Sequence, residues 1–463
     1  MKKLYNHQIE GIPILQEKPR HILADDMGLG KTCTVIRAMF TLKNIPQRII
    51  VVCPKTLIDN WVNELIMWSG KPLKITVLKR SNLFKIMKDQ PDVLICSYES
   101  LRILEGLQVM YPADCMIMDE CHKIKNRNTY AWKIIKEFSK TYSKMRMYFL
   151  SATPNVNIGT DVWSYLNIIC PTMFSSYHEF VQEFFDVKKV ERNGVYINKP
   201  IGLKKYKKED FQGILGHFMT RRTKEECLDL PEKSFITIPL NMTKRQRELY
   251  TELESSFSIS LNDLDPDDFL AVSGVLAQIT RSKQLCVSPD LVIPGIDSLD
   301  DSPKAEMVKE LISNTNDKVV VFSQFAMFAD RMHKYYSSKH IPCAKLTGSM
   351  TQEQRSENVR KFKENPDCKM IFISTKAGGY GLNLVEANTV IMVDSLWNPA
   401  ANNQAIDRTH RIGQTKNVTI YYLEMNKSIE QRINAIVREK EGMFDETINE
   451  TGILSRMKNQ DVA

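Results

Sequence analysis

Short apolar runs alternate with helix-forming segments twice along this chain, and that alternation most restricts its fold. In the first half the runs lie at 21–24, 48–53, 75–78, 92–97, 115–119 and 147–152. In the second half they lie at 318–323, 343–347, 369–374, 389–394 and 418–423. Buried strands separated by helices are typical of doubly wound parallel sheets. The sequence therefore predicts an α/β fold with two doubly wound parallel-sheet lobes.

Residues 155–300 differ from both halves, because strand-like runs are scarce there and helical periodicity dominates. A basic stretch from Lys188 to Lys208 interrupts the region, and we interpret it as a solvated loop or an extension of a nucleic-acid track. We interpret the whole region as helical insertions between the lobes. The predicted division is lobe one at 1–155, an insertion and return segment of lobe one at 156–240, an insertion and inter-lobe hinge at 241–300, and lobe two at 301–463.

Composition narrows the class of protein. The 463 residues are enough for two or three domains, and 43% hydrophobic with 25% charged residues is ordinary for a globular chain. The net charge of +8 permits nucleic-acid binding without requiring it. No apolar stretch approaches the roughly 20 residues that span a bilayer, so we expect no membrane partner. The ten cysteines form no CxxC pair, and free thiols favour an intracellular location.

A glycine-rich turn follows the first predicted strand and precedes an apolar helix. Its backbone N–H groups can face a phosphate at the positive end of that helix. Lys31 would neutralise the β- and γ-phosphates, and the Thr32 hydroxyl would ligate Mg²⁺. Asp25 stands where the strict GxxxxGK[ST] pattern has glycine, so a plain glycine-rich turn with an exposed lysine remains the alternative. The predicted nucleotide-binding residues here are Asp26, Met27, Gly28, Leu29, Gly30, Lys31 and Thr32.

Two acids end the predicted strand at 115–119. Ligands bind at the carboxyl edge of parallel sheets, where Asp119 would hold Mg²⁺ through water and Glu120 would orient and deprotonate the attacking water. We expect His122 to relay between nucleotide and nucleic acid. A capped helix start is the alternative, because Asp favours that position.

Two arginines far downstream, Arg408 and Arg411, lie three residues apart, which is about one helical turn. They could reach the triphosphate from the other lobe. We therefore expect a two-lobed motor whose site is complete only when the lobes close.

With these motifs placed, the chain resembles helicase superfamily two, specifically the Swi/Snf-type DNA translocases. The resemblance runs in motif order over nearly the whole length, and the combination of its last three segments is highly specific to this branch. Three positions depart from the usual pattern: Cys121, Ala152 and Tyr380. The resembling segments are LYNHQ (4–8), VVCPKTLIDNW (51–61), SYE (97–99), DECHKIKN (119–126), LSATP (150–154), FMTRRTKEECLDLPEKS (218–234), VVVFSQF (319–325), STKAGGYGLNL (374–384), DSLWNP (394–399) and QAIDRTHRIGQ (404–414).

The resemblance implies two RecA-like lobes, with ATP and Mg²⁺ as cofactors. Gln8 would read adenine, Gly381 would also lie at the nucleotide, and Arg408 and Arg411 would act as arginine fingers. Trp397 would touch the duplex, although a core or interface anchor is an equal alternative. The implied phosphate contacts to DNA are Lys55, Thr56, Ser374, Thr375 and Lys376.

The function that these features predict is an ATPase that translocates on double-stranded DNA and remodels DNA or DNA–protein complexes. Because phosphate contacts carry no base information, binding should be sequence-tolerant. A strand-separating DNA or RNA helicase is the alternative, and a nucleic-acid-binding module with an inactive ATPase is another. A P-loop kinase would have no use for a second lobe.

The chain ends soon after the last motif, as in the bare motors of bacteria and viruses. We expect a monomer that works on DNA and DNA-bound proteins. Its location would be the cytoplasm or nucleoid, the host cytoplasm if the source is viral, or the nucleus if it is eukaryotic.

Overall fold

The computed structural model describes residues 3–105, 111–154, 159–192, 195–255, 273–293, 299–375, 382–396 and 399–435. The chain forms two compact units that divide between Asp229 and Leu230. Each unit carries one parallel sheet. Within the described ranges, no helix is long and apolar enough to cross a bilayer.

The first unit is built on a sheet with the strand order β3–β4–β2–β5–β6–β1–β9, which counts seven strands among the described residues. Every neighbouring pair in it is parallel. The strands are β1 (Arg20–Leu23), β2 (Ile49–Cys53), β3 (Ile75–Val77), β4 (Val93–Ser97), β5 (Cys115–Asp119), β6 (Arg146–Leu150) and β9 (Met219–Thr220). The helices are α1 (Asn6–Glu17), α2 (Lys31–Phe40), α3 (Ile58–Trp68), α4 (Leu83–Asp89), α5 (Leu101–Glu105), α6 (Tyr130–Thr141), α7 (Trp163–Ile169), α8 (Tyr177–Phe184), α9 (Lys208–Phe218) and α10 (Lys224–Cys227).

Alternate residues of each central strand enter different cores on the two faces of this sheet. On β2, Ile50 and Val52 pack in one buried cluster, whereas Ile49 and Val51 pack in the other. Side chains alternate with period two along a strand, so a strand that is buried on both faces must be apolar throughout. This is why the strands were recognisable as continuous apolar runs.

The second unit repeats this arrangement with the strand order β10–β15–β14–β11–β13–β12, six parallel strands in its described residues. Val319 and Val321 enter one core and Val320 and Phe322 the other. The predicted α/β class with two doubly wound parallel sheets is confirmed. The strands are β10 (Lys233–Leu240), β11 (Lys318–Ser323), β12 (Cys343–Leu346), β13 (Met370–Ser374), β14 (Ala387–Met392) and β15 (Val418–Met425). The helices are α11 (Lys244–Ser255), α12 (Ser273–Val287), α13 (Pro303–Ser313), α14 (Ala326–Ser338), α15 (Gln352–Glu364) and α16 (Pro399–Ile406), and another helical segment begins at residue 429.

The described part of the region expected to be mainly helical contains four strands. The basic stretch from Lys188 lies largely in an antiparallel hairpin of β7 (Phe185–Arg192) and β8 (Val195–Leu203), and β10 pairs along its full length with β15. The expectation was wrong there because edge and hairpin strands need no continuous apolar run. Phe235 of β10, for example, is 54% exposed. The finer four-part division of the chain stays a prediction.

Candidate active site

The phosphate cradle predicted at residues 25–32 is a loop between β1 and α2. Gly28 and Gly30 have φ values of 87° and 77°, in the left-handed region that glycine adopts without strain. A Cβ on Gly30 would lie 2.3 Å from the Nε2 atom of Gln8. Lys31 is the first residue of α2, with Thr32 beside it, and its ammonium donates to the Asp25 and Asp26 carbonyls at 2.7 and 3.1 Å. The loop is thus curved as a phosphate cradle requires, with a lysine inside the curve.

Asp25, the departure from the strict pattern, is a buried ion-pair residue. Arg222 donates from Nε to one carboxylate oxygen at 3.0 Å and from a terminal nitrogen to the other at 2.5 Å. Asp25 is fully buried and Arg222 is 5% exposed. The same guanidinium also donates to the carbonyl of His7 in α1. A bidentate pair of this kind fixes the loop against two distant segments.

Arg221 makes a second, parallel connection to the loop. It lies 2.6 Å from an Asp26 carboxylate oxygen and donates to the carbonyls of Ala24 and Ala152. Asp26 also accepts from the backbone N–H of Lys224. Arg221 and Arg222 therefore hold the cradle in place from the segment after β9. The sequence did not reveal this role.

Gln8, which is predicted to contact the nucleotide, lies against the cradle. Its Nε2 atom donates to the Leu29 carbonyl at 3.1 Å, and its Oε1 atom accepts from the Tyr5 backbone N–H at 3.0 Å. His7 contacts the same Leu29 carbonyl at 2.8 Å. The start of α1 is therefore attached directly to the loop. Met27 and Gly28 are partly exposed, whereas Leu29 is buried.

Asp119 is the last residue of β5, and donors occupy both of its carboxylate oxygens. The Trp61 indole donates to Oδ2 at 2.8 Å, and the Glu120 backbone N–H donates to Oδ1 at 3.0 Å. Burial raises the pKa of Asp119 to about 6, and the Glu120 carboxylate adds to that rise. The Trp61 hydrogen bond and the Lys31 ammonium act in the opposite direction. The lysine of the cradle and this carboxylate therefore share one electrostatic environment.

Glu120 has a backbone conformation that a non-glycine residue rarely adopts. Its φ and ψ are both 51°, which costs on the order of 1–3 kcal/mol and typically occurs at functional sites. Its carboxylate lies 3.2 Å from the Nδ1 atom of His122, which in turn lies 3.4 Å from the Ser151 hydroxyl. His122 thus connects the acid pair to the segment after β6. Its predicted relay to nucleic acid stays a prediction.

The cradle and the acid pair lie on one edge of the sheet because of the strand order. β6 pairs with β1 on one side and with β5 on the other. Neighbouring strands are 4.7–4.9 Å apart, so the ends of β1 and β5 are separated by about 10 Å. The segment Ser151–Thr153 follows the strand between them. A triphosphate and its metal ion are of this size, so the residues present fit such a ligand.

In the second unit, Arg408 and Arg411 lie in consecutive turns after α16 and not on a helix. Gln414 holds these turns: its side-chain amide donates to the carbonyls of Val385, Ala387 and Thr409. Arg411 donates to the Leu382 carbonyl at 3.4 Å. The expected helical spacing of the arginines is therefore wrong, because a Gln-centred turn with Gly413 at a φ of 102° replaces the helix.

The predicted DNA contacts lie at strand ends where they are described. Lys55 and Thr56 are exposed in the 3₁₀ turn that follows β2. Ser374 ends β13 and is only 3% exposed, and Thr375 donates to the Ser323 carbonyl at 3.4 Å. Tyr380 and three predicted site residues lie outside the described residues: Lys376, Gly381 and Trp397.

Two known protein families match most of this chain. Residues 7–291 match the SNF2-related domain, and residues 303–413 match the helicase conserved C-terminal domain. This chain belongs to the SNF2-related family. The family predicted from the motifs is thereby confirmed.

This SNF2-related chain is similar to longer proteins. It is 30% identical to the ATP-dependent DNA helicase DDM1 of Arabidopsis thaliana, over 93% of this chain and 60% of that protein. It is also 30% identical to the human SWI/SNF-related matrix-associated actin-dependent regulator of chromatin subfamily A member 1, over 93% of this chain and 42% of that protein. The chain thus spans about half the length of these relatives. Among solved structures, the Sulfolobus solfataricus SWI2/SNF2 ATPase core in complex with dsDNA aligns over 99% of this chain and 96% of its own, with 27% identity and a TM-score of 0.46.

The buried pair beneath the cradle generates a stability prediction. Replacing Asp25 with Ala should lower the free energy of unfolding of the first unit by about 3–5 kcal/mol, because Arg222 is left buried without its counter-charge. Trp61, Trp68, Trp132 and Trp163 all lie in this unit, so urea titration followed by tryptophan fluorescence reports on it.

Glu137→Ala is the control, because it removes an exposed pair with Lys140 and should change stability by less than about 1 kcal/mol. A midpoint for Asp25→Ala that matches this control would contradict the assigned role of the pair.

Proposed function

We propose that this chain hydrolyses ATP and uses the free energy to move along double-stranded DNA, remodelling DNA or DNA–protein complexes. One observation carries the proposal: the lysine-containing cradle and the Asp119–Glu120 pair line the same sheet edge with a single strand between them. Membership of the SNF2-related family supports it. So do the names of its relatives, one an ATP-dependent DNA helicase and one a regulator of chromatin.

The residues around the loop would bind the nucleotide as follows. The backbone N–H groups from Met27 to Thr32 would surround the β-phosphate, and Lys31 would neutralise charge on the β- and γ-phosphates. Gln8 would contact adenine, because its amide already lies against the loop. Asp26 would act on the nucleotide indirectly, through its attachment to Arg221.

Thr32 and Asp119 would hold Mg²⁺, which supplies positive charge for the triphosphate when bound. Glu120 would orient the attacking water and accept its proton. His122 lies close enough to Glu120 to hold that carboxylate in place. The roles of Arg408 and Arg411 as arginine fingers, and that of Gly381 at the nucleotide, stay predictions.

Lys55 and Thr56 of the first unit, and Thr375 of the second, would contact DNA phosphates. Ser374 is almost fully buried, so its contact stays a prediction from its sequence position. Lys376 and Trp397 are also proposed as DNA contacts, from their sequence positions alone. Backbone contacts make binding sequence-tolerant and salt-dependent. We infer an intracellular monomer whose substrates include DNA-bound proteins.

Removing either catalytic charge should stop turnover and leave DNA binding intact. Lys31→Ala should abolish measurable ATPase, and Glu120→Gln should lower kcat by about 10²–10⁴, the usual contribution of a general base. Steady-state ATPase and filter binding with duplex DNA measure the two properties. Lys43→Ala and Glu137→Gln, at exposed positions of the same unit, are the controls. Normal turnover in Lys31→Ala or Glu120→Gln would refute the assignment.

The arginine-finger assignment is tested in the second unit. Arg411→Ala should lower kcat by about 10³ or more, the lower range for such a finger, while the Kd for nucleotide changes far less. Arg360→Ala removes an exposed arginine that pairs with Glu357 on α15 and should leave kcat unchanged. Equal rates for the two variants would show that Arg411 does not act on the transferred phosphoryl group.

Nucleic-acid preference separates the proposed function from its alternatives. Duplex DNA should stimulate ATPase more than single-stranded DNA or RNA, because the contacts are expected to follow a duplex backbone. All three are compared at one salt concentration, together with a strand-displacement assay on the same duplex. Stronger stimulation by RNA, or strand separation, would favour the helicase alternative, and no turnover with any of them would favour an inactive binding module.

A further inference from the structure

Two aromatic side chains converge on Asp119 from the connections that follow β2 and β4. The Trp61 indole donates to the carboxylate at 2.8 Å, and the Tyr98 hydroxyl donates to the backbone carbonyl of the same residue, also at 2.8 Å. Trp61 is fully buried. One aspartate is therefore held at its carboxylate and at its carbonyl by donors from two different elements.

Trp61 belongs to the connection that carries the predicted DNA contacts Lys55 and Thr56, and Tyr98 belongs to the connection beside it along the sheet. Trp61 lies on α3, which continues directly from the 3₁₀ turn that holds Lys55 and Thr56. Tyr98 begins the 3₁₀ turn Tyr98–Ser100 after β4. The strand order β4–β2–β5 makes these connections consecutive along the sheet, with Asp119 at the end of the third strand.

The two hydrogen bonds are well suited to transmit a small displacement. Hydrogen bonds weaken steeply as geometry departs from the optimum, and a bond to a buried carboxylate is stronger than one between neutral groups. The indole is fixed by its packing with Leu65 and Val51 in one core cluster, so it moves only when α3 moves. A shift of either connection on binding a duplex would therefore change the orientation of Asp119.

We propose that Trp61 and Tyr98 are positioning residues that couple duplex binding at the β2 and β4 connections to ATP hydrolysis at Asp119. This inference rests on the proposed function. It adds the route by which DNA would raise the ATPase rate. The effect of both residues on the reaction would be exerted through Asp119, to which each donates a hydrogen bond.

The test measures coupling directly. For the wild type, Trp61→Phe and Tyr98→Phe, the duplex Kd is measured with and without Mg²⁺ and a non-hydrolysable ATP analogue, and kcat is measured with and without duplex. Binding linkage is reciprocal, and typical coupling factors are about 5–150. We expect the coupling factor and the stimulation ratio to fall by about tenfold in Trp61→Phe and by about threefold in Tyr98→Phe, because the first bond is charge-assisted and the second is neutral.

The chain offers matched controls for both changes. Trp132→Phe removes a buried indole bond to the Ser164 carbonyl at 2.8 Å, and Tyr111→Phe removes a buried hydroxyl bond to the Pro91 carbonyl at 2.7 Å. Pro91 lies at the opposite end of β4 from Tyr98. Both control variants should keep the wild-type coupling factor. If the test variants lost coupling only because the protein was less stable, the control variants would lose it too.

The outcomes separate the inference from the function on which it rests. If duplex DNA stimulates the wild type and both test variants equally, the positioning role is overturned and the proposed function stands. Loss of coupling in the controls as large as in the test variants also overturns it. A wild type without ATPase under any condition overturns the proposed function as well. If Trp61→Phe does not fold, Tyr98→Phe decides alone.

Discussion

The buried pair between Asp25 and Arg222 is the interaction on which the first unit's site depends. The partners are 197 residues apart, and the same guanidinium bonds the His7 carbonyl. One side chain therefore fixes the start of α1, the phosphate loop and the segment after β9 relative to one another. Losing one partner of a buried ion pair leaves an uncompensated charge, so no one of these segments can move alone. This also explains why an aspartate stands where the strict phosphate-loop pattern has glycine: its charge is used beneath the loop, while Gly28 and Gly30 provide the curvature.

In both units several residues with proposed roles lie at a strand end or in a turn that follows a strand or a helix, and hydrogen bonds from other side chains and from the backbone hold these positions. Trp61, Tyr98 and the Glu120 N–H hold Asp119 in the first unit. Gln414 holds the arginine turns of the second unit through three carbonyls. Such turns lack the continuous ladder of backbone hydrogen bonds that joins the strands of a sheet. They can therefore change geometry at the cost of a few hydrogen bonds, while the doubly buried strands keep their register.

The sequence predicted the strands whose apolar composition is required by burial on both faces of a sheet. Central strands such as β2 and β5 are apolar throughout because both faces are covered, so their positions could be predicted to within a residue or two. The edge strand β10 was not predicted, because its apolar run at 235–240 is interrupted by Thr237 and Pro239, and Phe235 and Ile236 are exposed. The glycine loop and the acid pair were recognisable because their chemistry is local. Arg222 and Trp61 were not assigned roles, because their partners lie 197 and 58 residues away. A pair of adjacent arginines after a short apolar run was the available signal, and it carried no information about which aspartate it would meet.

The strand order also places the proposed DNA contacts of the first unit beside the residues proposed for ATP hydrolysis. The proposed DNA contacts of the first unit follow β2, and the β4 connection lies next to them; the acids follow β5 and the cradle follows β1. A contiguous set of side chains crosses that edge. Trp61 and Tyr98 reach Asp119, the adjacent Glu120 reaches His122, and His122 reaches Ser151. Arg221 joins Ala152 to Ala24 and Asp26. Every link lies beyond the strand ends. A displacement at the β2 connection can therefore reach the cradle by rearranging hydrogen bonds between turns, and the sheet beneath them need not deform. Physical continuity of this kind becomes a coupling pathway only when both ends respond to the loss of a link.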